Sequence, residues 1–72
     1  MATDICIRLG RRIKQLRKTR GWRQIDLAEH SGINAVYLSY VERGTKEICL
    51  RNLEILAQTF EMTIKELLKS VE

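Results

Sequence analysis

QIDLAEHSGINAVYLSYVERG, residues 24–44, holds the key to the architecture of this chain. Its first part, about Gln24 to His30, reads as a short helix with Leu27 and Ala28 inward. Ser31-Gly32-Ile33-Asn34 then breaks it. Gly32 suits a left-handed turn that side chains resist. Ile33 gives the turn an apolar anchor, and Asn34 is a good N-cap for the next helix. That second helix runs from about Ala35 to Glu42 or Arg43 and stops at Gly44. Tyr37, Leu38 and Val41 share its inner face, while Ala35, Val36, Ser39 and Tyr40 lie elsewhere on the wheel.

On either side of this stretch, apolar residues keep a spacing of three and four, and no proline interrupts them. Upstream, a helix from about Thr3 or Asp4 to Arg20 carries Ile5, Leu9, Ile13 and Leu16 on one face. Trp22 is expected to pack across the junction between that helix and helix two. Downstream, a fourth helix covers about Leu50 to Phe60, with Leu50, Leu53, Leu56, Ala57 and Phe60 as its stripe. A fifth runs from Thr63 to about Ser70, opened by the capping box Thr63-Ile64-Lys65-Glu66. The expected architecture is all-α: one five-helix domain over residues 1–72, with the helix-turn-helix at helices two and three.

Composition narrows the function. The 72 residues are 44% hydrophobic and carry a net charge of +4. No apolar run approaches the ~20 residues a membrane helix needs. No signal-peptide pattern opens the chain, which points to the cytoplasm and to no membrane partner. Cys6 and Cys49 form no metal motif, so two reduced, partly buried thiols are expected, with no metal and no cofactor. His30 has no evident partner and reads as a surface residue. Residues 1–24 hold eight basic groups (Arg8, Arg11, Arg12, Lys14, Arg17, Lys18, Arg20 and Arg23) against one acid, Asp4. Such a block suits a polyanion or is simply a solvated face. An enzyme is disfavoured, because no nucleophile–base pairing, phosphate-cradling loop or carboxylate cluster is present.

A helix pinned across another by a tight glycine turn can enter the major groove, which is ~12 Å wide. Gln24-Ile25-Asp26-Leu27-Ala28, Gly32-Ile33, Tyr37-Leu38-Ser39 and Val41-Glu42-Arg43-Gly44 resemble the Cro/C1-type (XRE) helix-turn-helix family. Arg12 to Arg17 with Gly21, Leu53 to Ala57, and Leu67-Leu68 extend the likeness over about residues 9–68. It implies a lambda-repressor-like fold and a sequence-specific regulator of transcription on double-stranded DNA. Phage repressors and Cro are the standard examples of this docking mode.

The resemblance also implies roles. Ala35, Val36, Ser39 and Tyr40 match the base-facing positions. Arg23, Gln24, Asn34, Tyr37, Arg43 and Lys46 are expected near phosphates, with Tyr37 split between core ring and phosphate-reaching hydroxyl. Arg17 and Glu42 match a buried ion pair. Arg23 stands where Ser or Thr usually caps helix two, and Cys49 where one usually caps helix four. Free-standing members pair as two-fold dimers, and Met62, Ile64, Leu67, Leu68 and Val71 are the expected homodimer surface. Within the class, a restriction–modification controller is favoured over a phage repressor or an antitoxin. The alternative is a protein–protein adaptor that uses the same fold without DNA.

Overall fold

The structure, a computed structural model, describes residues 4–71. Five helices occur in order: α1 (Ile5–Thr19), α2 (Gln24–Ser31), α3 (Ala35–Arg43), α4 (Leu50–Thr59) and α5 (Ile64–Leu67). No strand occurs among the described residues. Asp4 starts α1 by accepting the Cys6 amide at 2.8 Å. Asn34 starts α3 by accepting the amides of Val36 and Tyr37 at 2.8 and 3.2 Å. Thr63 and Glu66 exchange reciprocal bonds at the start of α5, at 3.0 and 3.1 Å, so two otherwise orphaned amides are satisfied.

The helices enclose one core, with Ile13, Leu27, Leu38, Val41, Leu56, Phe60 and Leu67 among its buried members. Ile33 is buried in the turn between α2 and α3, as its anchoring role requires. α1 lies against α3, α2 against α3 and α4, and α4 against α5. Gly10 allows the first of these contacts. A Cβ there would stand 2.5 Å from the Val41 carbonyl oxygen and closer still to that of Glu42. Gly44, at φ +75°, ends α3 and faces the Ile7 backbone, where a Cβ would also collide.

Several sequence expectations are corrected. Helix five ends at Leu67 rather than Ser70, because Lys69 and Val71 make turn bonds to residues three back and Ser70 is left-handed at φ 74°. Ile5 and Leu50 are exposed instead of lying in the core. Each is the first residue of its helix, and side chains there lean back past the helix start, where nothing covers them. Cys49 is exposed too, while Cys6 is half-buried; both are free thiols. His30 has a partner: its ring stacks on Trp22 with centroids 4.3 Å apart. Trp22 also faces Phe60 at 6.0 Å.

The basic block is mostly structural. Arg12 donates to the carbonyls of Leu67 and Glu66 at 3.1 and 2.9 Å. Arg8 donates to the Val71 carbonyl. Arg20 donates to the Phe60 carbonyl, and its guanidinium lies 5.0 Å from the Phe60 ring centroid. These carbonyls belong to the last turns of α4 and α5 and the segment beyond, where helix ends leave acceptors unsatisfied and favour cations. The α1 arginines therefore fasten the C-terminal part to the N-terminal part. Arg11, Lys14 and Lys18 stay exposed.

Candidate nucleic-acid interface

α3 turns Leu38 and Val41 into the core and leaves its other side open. Val36 is 62% and Tyr40 42% exposed. Ser39 is half-buried. Ala35 is also half-buried, with its methyl against the core. The base-facing positions are thus an exposed pair, Val36 and Tyr40, flanked by two small residues.

The rod is held at its far end by a buried ion pair. Arg17 Nε and Nη2 donate to the two Glu42 carboxylate oxygens at 2.7 and 2.9 Å. Their side chains are 9% and 2% exposed. The third group, Nη1, donates to the Trp22 carbonyl at 2.8 Å. The Glu42 carboxylate holds the Arg17 guanidinium above its ordinary pKa, mainly through the hydrogen bonds. Gln24 Nε2 donates to Glu42 Oε1 at 3.2 Å. One carboxylate therefore links α1, the start of α2 and the end of α3.

The positions expected near phosphates are arranged unequally. Gln24 is half-buried at the first turn of α2, its amide oriented by Glu42. Asn34 is exposed and uses its oxygen to cap α3, which leaves its amide NH2 outside the cap. Tyr37 packs its ring against the core, and its hydroxyl donates to the Glu47 carbonyl at 3.1 Å. Lys46 Nζ lies 6.0 Å from the centre of that ring. Arg43 is folded back along α3: its guanidinium is 4.8 Å from the Tyr40 ring centroid, and Nε donates to the Ser39 carbonyl at 3.3 Å.

Arg23 leaves α2 without a side-chain cap. It has no acceptor with which to cap α2, and its side chain makes no cap bond. Instead Asp26 accepts the Arg23 amide at 2.8 Å and its guanidinium at 3.1 Å twice. Its charge is thus shared with a neighbour, although the side chain remains 79% exposed. Asp26 and Glu66 are both held below the usual carboxylate range, Asp26 first by the Arg23 guanidinium and Glu66 first by the Thr63 amide. A carboxyl with a lower pKa folded than unfolded stabilises above its unfolded value and stops doing so as pH falls through its folded value. Asp26→Asn and Glu66→Gln should therefore each melt below the unsubstituted chain at pH 7. The differences should shrink as pH falls below the ordinary carboxylate range near ~4. A melting difference that persists unchanged in acid would show that neither contribution depends on charge.

Two of the expected dimer residues are not surface residues. Leu67 is 0% and Val71 1% exposed, because both fill the core beneath the arginine contacts of α1. Met62 and Leu68 are half-buried, and Ile64 is exposed. The arginine contacts with C-terminal carbonyls escaped sequence reasoning. Their signal is the i, i+4 placement of Arg8 and Arg12, together with the absence of a basic residue in the last turn of α4. Among the described residues, no group of three or more His, Cys, Asp or Glu side chains could hold a metal ion. Among the same residues, no helix is long and apolar enough to cross a membrane.

A helix-turn-helix family model (HTH_3) matches residues 13–67. The HTH-type transcriptional regulator DdrOP3 of Deinococcus deserti is 39% identical over 66 residues, which are 92% of this chain and 51% of that protein. The chain thus spans about half the length of that relative. The control protein C.MunI of a Mycoplasma species is 33% identical over 70 residues, covering 96% of this chain and 95% of its own. Among solved structures, the restriction-modification controller protein C.AhdI of Aeromonas hydrophila superposes with a TM-score of 0.82 at 34% identity. That match covers 86% of this chain and 94% of the other.

Proposed function

The chain belongs to the helix-turn-helix family matched by residues 13–67, and on that footing we propose that it is a sequence-specific DNA-binding regulator of transcription. The observation that carries this reading is the exposure of Val36 and Tyr40 on a helix locked at its C-terminal end by Arg17 and Glu42. A rigid helix with a free outer face is what major-groove reading needs. Gln24, Asn34 and Lys46 flank that face with donors that suit phosphate oxygens, whereas the Tyr37 hydroxyl is already spent on the Glu47 carbonyl. Arg23 adds a partly neutralised charge.

Within the class, a restriction–modification controller is the favoured subtype. C.MunI and C.AhdI support it because nearly the whole of each corresponds to this one domain. A homodimer is part of the proposal, since one helix-turn-helix reads too few base pairs to stand out in a genome. With Leu67 and Val71 committed to the core, the surface narrows to Met62, Ile64 and Leu68. The cytoplasm is the compartment in which such a protein would meet DNA.

Selection from a randomised duplex pool tests all of this together. The expected product is a two-fold symmetric site with half-sites about one helical turn, ~34 Å, apart. Binding should weaken with salt at a log–log slope of roughly −0.9 per neutralised phosphate. A chain that retains no duplex at low salt is not a DNA regulator, and the adaptor reading would replace it.

A further inference from the structure

We propose that Arg43, folded over Tyr40, reads a guanine in the major groove, and that Val36 reads the C5 methyl of the pyrimidine beside it. This rests on α3 being the recognition helix. Val36, Tyr40 and Arg43 stand at i, i+4 and i+7, so they form one stripe on its outer side. Side chains on a helix lean toward its N-terminus, and Arg43 does so here. Its guanidinium is placed over the Tyr40 ring, 4.8 Å from the centroid, with Nε bound to the Ser39 carbonyl. Both contacts draw the charge back alongside the middle of the helix. A cation released beyond the C-terminus would instead meet the phosphate rail.

The chemistry of the stripe matches one kind of base step. Nε is engaged, so the two terminal nitrogens of Arg43 remain to donate. Guanine presents two acceptors, O6 and N7, at the spacing a guanidinium fork fits. None of Ala35, Val36, Ser39 and Tyr40 can make such a bidentate contact, so Arg43 supplies the strongest discrimination available on this helix. Val36 is the most exposed apolar group on α3, at 62%, and offers only van der Waals contact. In the major groove that contact is made with the methyl of thymine. 5-Methylcytosine places the same methyl at the same atom, and cytosine lacks it. Binding is therefore sensitive to methylation of a cytosine next to the guanine.

The test uses the full chain and the duplex returned by selection. Each guanine in a half-site is replaced in turn by 7-deazaguanine, which removes only N7, and affinity is read by fluorescence anisotropy. For one guanine, the unsubstituted chain should lose about tenfold. Arg43→Ala should show no loss at that base, and Arg43→Lys should keep the salt slope while losing most of the discrimination. At the neighbouring pyrimidine, cytosine should bind about fourfold more weakly than thymine. 5-Methylcytosine should restore binding, and Val36→Ala should abolish the difference. Arg43 is exposed, so thermal unfolding of its variants should match that of the parent.

Suppose a preferred site is bound, yet every 7-deazaguanine duplex costs the parent and Arg43→Ala the same. If Arg43→Ala also weakens all duplexes evenly and lowers the salt slope by about 1, Arg43 is a phosphate ligand. The proposal then fails while the regulator reading stands. Equal binding of thymine, cytosine and 5-methylcytosine overturns the methyl contact. If selection returns no preferred sequence, the regulator reading falls and takes this inference with it.

Discussion

Glu42→Gln is expected to cost roughly 3–5 kcal/mol of folding stability, the usual consequence of stranding one member of a buried ion pair. A domain of this length has only about 4–11 kcal/mol in total, so much of the margin disappears. The loss is large because one carboxylate serves three groups. It neutralises Arg17, accepts both prongs of that guanidinium, and accepts Gln24 as well. A neutral amide cannot accept on both sides, and among the described residues Arg17 has no other ion-pair partner. Thermal unfolding followed by circular dichroism measures the effect. A melting temperature within a few degrees of the parent would mean that water reaches Arg17. A second comparison separates charge from packing. Arg17→Met combined with Glu42→Leu removes both charges and should recover much of the stability lost by Glu42→Gln, since a well-packed apolar pair often equals an ionic one. Recovery should be incomplete, because the Trp22 carbonyl loses its donor from Arg17.

Gly10→Ala is the second large effect. In an exposed helix this change usually gains about 1 kcal/mol of helix propensity. Here the added methyl would meet two backbone carbonyls of α3, 2.5 Å from one and nearer to the other. Backbone atoms cannot swing aside as a flexible side chain can, so α1 and the end of α3 must part by about 1 Å. Overpacking of this kind costs ~1–3 kcal/mol, and the same separation stretches the Arg17–Glu42 bonds beside it. Because the clash is with backbone, its cost lies at the upper end of that range, ~2–3 kcal/mol; less the propensity gain, ~1–2 kcal/mol remains, and the melting temperature should fall by roughly 5–15 °C at ~4–8 °C per kcal/mol. A rise in melting temperature would show that the two helices can move apart freely, and that the close approach at Gly10 is not needed for stability.

The two variants should differ in how they affect DNA. Glu42→Gln removes the group that orients Gln24 at the start of α2. Gly10→Ala leaves that bond in place but tilts α3. Glu42 and Gly10 themselves touch no nucleic acid in the proposed complex; the first acts through Gln24 and the second through the tilt of α3.

Local patterns in the chain were enough to determine five helices, the break at Ser31 to Asn34, and the caps at Asn34 and Thr63, while the choice between Thr3 and Asp4 at the start of α1 stayed open. Periodicity and capping are short-range effects, written within a few residues. The same patterns put Ala35, Val36, Ser39 and Tyr40 away from the inner face of Tyr37, Leu38 and Val41; of those four, Val36 and Tyr40 are exposed while Ala35 and Ser39 are half-buried. The Arg17–Glu42 pair was accessible only through family likeness, because the two residues lie on different helices.

Packing between distant segments settled the rest. A count of basic residues cannot tell which cations are already engaged, and Arg8, Arg12 and Arg20 are held by carbonyls that lie 40 or more residues away. A hydrophobic stripe cannot show where the core ends, so Leu50 and Ile5 fell outside it while Leu67 and Val71 fell within. The position of Arg43 depends on whether it extends past its helix or folds back over Tyr40, which no spacing rule specifies. In each case the deciding partner is distant in sequence or is one of several rotamers, and only the assembled helices bring it into reach.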